Sequence, residues 1–339
     1  MRQLLGRLVA SLLYSSGLVG LSRWSMRRSG RHLIILNYHH ASGGDLGRHL
    51  RYLNRHYRMM HLEEALEELY EEKKKVMHDQ RTPLVLTFDD GYYDNYTHAF
   101  KLACQLRVPI TIFLIPGYVE SGDYFWWGEG RRLVKRAQVD NVTFDEKTYH
   151  LQQPHDRLQL TQTIDKRLRH VGSVEEREIF LAKVRQMLAV PTSVTEEEEK
   201  DRPFSWKEIR EMQQSGWVSF GAHTMHHPIL SYLTDPAEVL YEVRECRTVL
   251  EQHLGQEVRV FAYPVGRWEH IGDEAVQAVQ EAGYKWAVTT MCNSATPQSD
   301  PYRLERQLGD VSRHWLVMAA ETSGIWKMLS PLWKRVVGS

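Results

Sequence analysis

The 339-residue chain, 42% hydrophobic and 25% charged, has the composition of a globular protein with ample core, as one large domain or two ordinary ones. Its 43 basic residues balance 43 acidic ones, so no overall field favours nucleic acid or an acidic partner. Three scattered cysteines, Cys104, Cys246 and Cys292, with no CxxC pair, argue against a disulfide framework or a thiolate zinc site; they read as small core fillers.

Leu4 to Leu21 is largely apolar but interrupted by Arg7, Ser11, Ser15 and Ser16. Its uncharged part, Leu8 to Leu21, is too short for a spanning helix, and no convincing small-x-small cleavage site follows. An interfacial helix backed by Arg23, Arg27, Arg28 and Arg31 suits residues 1–30; an ordinary helix packed on the domain is the alternative. Those arginines favour a cytoplasmic-side, membrane-associated placement. Arg2 and Arg7 compete on the other flank, so a periplasmic or other extracytoplasmic placement stays open.

Arg31 to Tyr38 reads as a strand, and Asp45 to Lys75 carries helical periodicity that ends in a solvated charge run. Leu84 to Phe88 is a buried strand by its continuous apolar run, Tyr96 to Leu106 a helix, and Val108 to Ile115 a strand stopped by Pro116-Gly117. This alternation predicts a parallel α/β core. Residues 123–202 break the rhythm as a charged, mostly helical insertion containing the acidic run Glu196 to Glu199. It opens on Tyr124-Phe125-Trp126-Trp127, which either packs in a core or walls a sugar-binding cleft through its aromatic faces.

The core rhythm resumes at Ser205, an N-cap with Glu208 three residues on, as in a capping box. A helix to Ser215, a strand Val218 to Ala222 and a helix Thr234 to Leu254 follow. Arg259 to Tyr263 is a strand ending at Pro264-Val265-Gly266, Asp273 to Ala282 a helix, and Ala287 to Thr290 one more strand. The amphipathic tail, residues 313–339, is rich in Trp, Met and Leu over Trp315 to Val337 and carries Lys327, Lys334 and Arg335. It either docks on the core or joins the amino-terminal segment at a membrane surface.

Chemistry-bearing residues gather where strands are predicted to end: His39, Asp89-Asp90, His223 with His227, and Pro264-Val265-Gly266. In parallel α/β folds the carboxyl ends of strands meet at one face, where active sites are built. Two histidines and one carboxylate are a common ligand set for a catalytic divalent metal, because coordination positions stay open for water and substrate. A second carboxylate beside the ligand is placed to take a proton from that water.

The motifs Thr87-Phe88-Asp89-Asp90-Gly91, His223-Thr224-x-x-His227-Pro228 and Phe261-Ala262-Tyr263-Pro264-Val265-Gly266 resemble those of the polysaccharide deacetylase (NodB-homology) family of carbohydrate esterases. Chitin, peptidoglycan and poly-N-acetylglucosamine deacetylases belong to that family. The likeness covers about residues 32–120 and 203–308 and implies a distorted (β/α) barrel, residues 31–312, carrying the helical insertion. It further implies hydrolysis of N-acetyl groups on an N-acetylated glycan. A divalent metal, zinc foremost with cobalt or nickel as alternatives, would be held by Asp90, His223 and His227. Asp89 would be the general base, and Val265 and Tyr263 would stabilise the oxyanion or contact substrate; Trp126 and Trp127, in the insertion outside the likeness, are candidate substrate contacts by their aromatic faces alone. His226 reads as a bystander.

Two positions depart from the usual family pattern. No late His-Asp pair exists to protonate the leaving group; Leu36-Asn37-Tyr38-His39-His40 instead resembles the permuted arrangement of exopolysaccharide deacetylases, which implies His39 as the acid. Ala262 stands where many members carry an arginine, and Arg306 is expected to compensate by pairing with Asp89. Alternatives are a family amidase acting on a small non-sugar amide, or an inactive carbohydrate-binding protein.

Overall fold

The computed structural model describes residues 2–71, 79–193, 195, 202–326 and 329. In chain order, α1 (Arg2–Ser15) and α2 (Leu18–Arg28) precede β1 (Ile34–Tyr38), α3 (Leu46–His56), β2 (Arg58–Met59), α4 (Leu62–Tyr70) and β3 (Pro83–Phe88). A π-helical turn, Asn95–Phe100, leads into α5 (Lys101–Leu106), β4 (Ile110–Leu114) and α6 (Pro116–Ser121). The insertion contributes α7 (Trp126–Arg136), β5 (Asn141–Phe144), β6 (Lys147–His150), α8 (Pro154–Arg169) and α9 (Val174–Met187). Then come α10 (Trp206–Gln214), β7 (Val218–Ala222), α11 (Pro236–Leu254), β8 (Val260–Ala262), α12 (Trp268–Glu281), β9 (Trp286–Val288), β10 (Gln307–Leu308) and α13 (Trp315–Thr322).

The main sheet runs β10-β1-β3-β4-β7-β8-β9, with β2 paired to the start of β3, and every pairing in it is parallel. Its strands β1, β3, β4 and β7 are buried on both faces, so they read as apolar runs rather than alternations. Ile34, Leu36 and Tyr38 meet the surrounding helices. Leu33 and Ile35 point the other way, into an inner cluster with Val85, Phe113, Val260 and Val288. Helix α4 joins that inner cluster through Leu62, Ala65, Leu66 and Leu69.

The sheet curls into a barrel that a short segment closes. Leu304 bridges to Val288 of β9, and three residues later Gln307 and Leu308 pair with Leu36 and Asn37 of β1. The segment therefore touches both edges of the sheet, and Arg306 lies between its two contacts. This is the expected distorted (β/α) barrel, and it fixes which residues can reach the centre.

Several expected elements differ in detail. The helical stretch from Asp45 is broken at Tyr57, because Arg58 and Met59 pair with Pro83 and Leu84 before α4 begins. The insertion is not wholly helical: Val142 and Phe144 alternate with exposed residues in a two-stranded hairpin that turns through Asp145 and Glu146 at positive φ. Helix α12 starts five residues earlier than expected, with non-helical backbone at Gly272. Ser205 does cap α10, with Glu208 returning the bond as a capping box. Cys246 is buried as expected of a core filler, but Cys292 is exposed. The acidic run Glu196–Glu199, residues 72–75 of the charge run, Lys327, Lys334 and Arg335 lie outside the described residues.

At the termini, α1 and α2 pack one face on α13 and the segment just after it through Ala10, Val19, Ala320 and Ile325. The tail helix thus docks on the amino-terminal pair, while Trp315 stacks edge-on against Tyr14.

Candidate active site

Four strands deliver the central groups. Tyr38 of β1 pairs with Phe88 of β3, so His39 and Asp89 leave the sheet side by side; the Asp89 N–H still donates to the Tyr38 carbonyl at 3.0 Å. Leu114 of β4 pairs with Ala222 of β7, and the His223 N–H donates to the Leu114 carbonyl at 2.9 Å. Ala222 pairs in turn with Phe261 of β8, which brings the Tyr263-Pro264-Val265 turn beside His223.

Asp90, His223 and His227 are buried, and their ligand atoms lie within 4.8 Å of one another. Asp90 Oδ1 is 3.3 Å from His223 Nε2 and 3.5 Å from His227 Nε2, yet it has no hydrogen-bond partner. His223 directs Nδ1 at the Ala262 carbonyl, 2.7 Å away, which places its proton there and leaves Nε2 free to coordinate. A buried carboxylate oxygen facing two imidazole nitrogens, without hydrogen-bond geometry to either, fits a divalent cation among them. Burial raises the Asp90 carboxyl, but the neighbouring His223, His227 and His39 imidazoles outweigh it and hold it well below the usual range. Burial lowers His227 to about 3, so it stands neutral, as a ligand must. His223 is lowered by burial but raised more by Asp90 and Asp89.

Backbone conformation at the site is strained in a concentrated way. Eight described non-glycine residues have positive φ; Asp90 (71°), Thr224 (62°), His227 (55°) and Val265 (61°) are four of them, all at this centre. The others sit in the insertion hairpin or just after helices. Such geometry persists only where the surroundings over-determine it, and they do. Thr224 Oγ1 accepts from the His227 N–H at 2.9 Å. Trp126 Nε1 donates to the His227 carbonyl at 2.8 Å, and Arg177 donates to the His226 carbonyl at 3.0 Å. Glu242, 1% exposed, accepts from both the backbone N–H and Nδ1 of His226. His226 is therefore outside the ligand set but ties its loop down.

Asp89 makes a bidentate pair with Arg306, at 2.8 Å from Nη1 to Oδ1 and 2.8 Å from Nη2 to Oδ2. Arg306 also donates from Nε to the Thr289 carbonyl at 2.8 Å and lies over the Phe113 ring. Both partners are buried, so the fork fixes the carboxylate plane in a site of low dielectric. Burial pushes the Asp89 carboxyl up, but Arg306, His223 and His39 outweigh it and hold it below its usual value.

His39 is half-buried and leaves the end of β1 beside Asp89. Its loop is held from the β3 side. Asn95 Nδ2 donates to the His39 carbonyl at 2.9 Å, and Asp94 accepts from the Ala41 and Ser42 N–H groups, each at 3.0 Å. His40 lies 3.5 Å from Asp94, so that carboxylate pairs with His40 and holds the Ala41-Ser42 backbone after it.

The remaining expected contacts divide. Val265 is half-buried at the turn, its carbonyl held by Thr290 at 2.8 Å. Tyr263 corrects the expectation for it: the ring packs on Phe261 in the core and the hydroxyl donates to the Tyr302 carbonyl at 3.0 Å, so it braces the turn from behind. Trp126 is buried and serves the His227 carbonyl rather than an open cleft. Trp127 is half-buried, 4.3 Å from the His227 ring and stacked on Phe125. Sequence reasoning missed Arg177, Glu242 and Asp94. None carries a local signal, since each acts on a partner from a distant segment.

The sequence profile of the polysaccharide deacetylase family matches residues 77–193 and 182–287. YxkH of Bacillus subtilis, which bears a provisional polysaccharide deacetylase name, is 24% identical over 294 residues, covering 84% of this chain and 74% of that protein. Among solved structures, the Streptococcus pyogenes deacetylase PplD in complex with acetate matches at a TM-score of 0.55 with 18% identity, covering 86% of this chain and 98% of that one. IcaB from Ammonifex degensii matches at 0.53 with 17% identity, covering 87% and 98% respectively. At these identities the structural likenesses show a shared fold.

Proposed function

The chain belongs to the polysaccharide deacetylase family, hydrolases that act on amide bonds, and from that premise we propose that it removes N-acetyl groups from N-acetylhexosamine units of a glycan. Asp90, His223 and His227 would hold a divalent metal, with zinc favoured by the two-imidazole, one-carboxylate set. Such an ion, when bound, supplies Lewis-acid polarisation of the amide and makes a water more acidic. The observation that carries this reading is the buried, partnerless Asp90 Oδ1 between two imidazoles, next to a carboxylate locked by arginine.

Asp89 takes the proton from the attacking water. Its carboxylate is held ionised, so it is always ready to accept, and the Arg306 fork aims it. The backbone N–H of Val265, presented by the strained turn, is the donor for the oxyanion that forms on the former carbonyl. His39 delivers a proton to the departing nitrogen, which is too basic to leave as an anion. Acetate and a free amine result.

Acetate release from a panel of N-acetylated oligosaccharides, run beside small non-sugar amides, tests this. Turnover is expected on N-acetylglucosamine oligomers. His39→Ala should reduce it by about 10²–10⁴-fold, the range of a lost general acid. Turnover on the small amides alone, or an unimpaired His39→Ala enzyme, would overturn the reading.

A further inference from the structure

Among the described residues, seven of the twelve exposed large hydrophobics, Leu4, Leu5, Leu8, Leu12, Leu18, Leu21 and Trp24, lie on the first two helices. Spacings of four between Leu4, Leu8 and Leu12 stack three of them on one face of α1, each at least 57% exposed. The opposite face is already used: Ala10 and Val19 are buried against α13, with Leu13 and Tyr14 beside them. The pair is therefore two-faced. One side holds it to the domain, and the other presents a contiguous leucine surface with no occupant among the described residues. No single described helix is long and apolar enough to cross a membrane; α1 and α2 reach that length and apolarity only together, across a 71° bend, and one face of the pair is already packed on the domain.

Charge decides what fits this face. Residues 1–44 contain six arginines and no aspartate, glutamate or lysine. Arg7, Arg27 and Arg28 are exposed on the same two helices. A second copy of the chain docking face to face would set like charges against each other. An anionic bilayer surface satisfies both features, because leucines enter the acyl boundary while guanidinium groups meet the headgroups. We propose that α1 and α2 form a docking surface for an anionic lipid bilayer, with the helices lying in the interface plane. The barrel is then held at the membrane through α13, and its catalytic groups remain on the strand ends. This inference does not depend on the substrate proposed above.

Co-sedimentation of the full chain with vesicles of phosphatidylcholine alone, or of phosphatidylcholine mixed with phosphatidylglycerol, tests it. Binding is expected on the anionic vesicles and should weaken as salt rises. The triple variant Leu5→Glu, Leu8→Glu, Leu12→Glu should lose at least about tenfold in partitioning, because a charge replaces each inserted apolar side chain. Arg7→Ser with Arg27→Ser and Arg28→Ser should lower binding to anionic vesicles without removing the leucine face. The unfolding midpoint of each variant, measured without lipid, shows that the fold is intact. Equal partitioning of parent and triple variant, no partitioning at all, or concentration-dependent dimers abolished by the leucine changes would each overturn the proposal.

Discussion

Arg306 and Asp89 form a buried ion pair across 217 positions of sequence. Neither charge could be buried alone, and each satisfies the other with two parallel bonds while Thr289 accepts a third. Arg306→Ala leaves a carboxylate buried without its partner, which costs about 3–5 kcal/mol of stability. We expect urea unfolding to show that loss and turnover to fall with it; Arg306→Lys should restore charge but not the two-pronged alignment, and so only part of the turnover. Unchanged turnover in Arg306→Ala would remove Arg306 from the machinery. Asp89→Asn should keep its metal and lose activity, whereas His223→Ala should lose both, as read by metal analysis beside acetate release.

At the scale of elements, the insertion braces the ligand loop. Trp126 begins α7 and Arg177 lies in α9, and each holds one carbonyl of the His226-His227 pair. Partners that orient metal ligands are commonly worth 10–100-fold in metal affinity. Arg177→Met, which keeps much of the volume and loses the donor, is expected to weaken metal binding by at least about tenfold. Titration with a divalent ion reads this directly, and unchanged affinity would reduce the insertion to a covering. Helix α10 offers a separate test of local structure. Burial raises the Glu208 carboxyl, but Arg202 and Ser205 outweigh it and hold it below its usual range. A carboxyl depressed by folding adds stability above its unfolded pKa of about 4.3 and loses it as pH falls through the folded value. Glu208→Gln should therefore cost stability at pH 7 and little in strong acid. Ser205→Ala should cost about 1 kcal/mol at pH 7 in the same urea titrations.

At the scale of the whole molecule, the barrel has no centre until its last segment arrives. Leu304 to Leu308 joins β9 to β1 and carries Arg306 inward, so the amino- and carboxy-terminal parts of the domain complete one site. A metal held by residues following β3 and β7 would add a further tie between them. Saturating zinc is expected to stabilise the fold by about 2.7 kcal/mol at one hundred times its dissociation constant. Calorimetry should show a higher melting temperature with zinc than after chelation, and no shift would argue against a resident metal.

The chemistry and its arrangement at strand ends were legible in the residues. Apolar runs mark buried parallel strands, and a pair of histidines four apart beside paired carboxylates is local metal chemistry. Arg306 could be nominated because the position of the missing arginine, Ala262, is itself in a readable motif. The broken helix at Tyr57 and the hairpin of the insertion were hidden, because short strands take their identity from partners rather than from their own sequence. The sequence by itself nominated the candidate groups and placed them at strand ends that share one face. Tertiary structure alone decided what holds them: Trp126 to the His227 carbonyl across 101 residues, Arg177 to the His226 carbonyl across 49, and Tyr263 turned into the core. Such contacts join side chains to distant backbone atoms, and backbone carbonyls carry no identity that a sequence pattern could reveal.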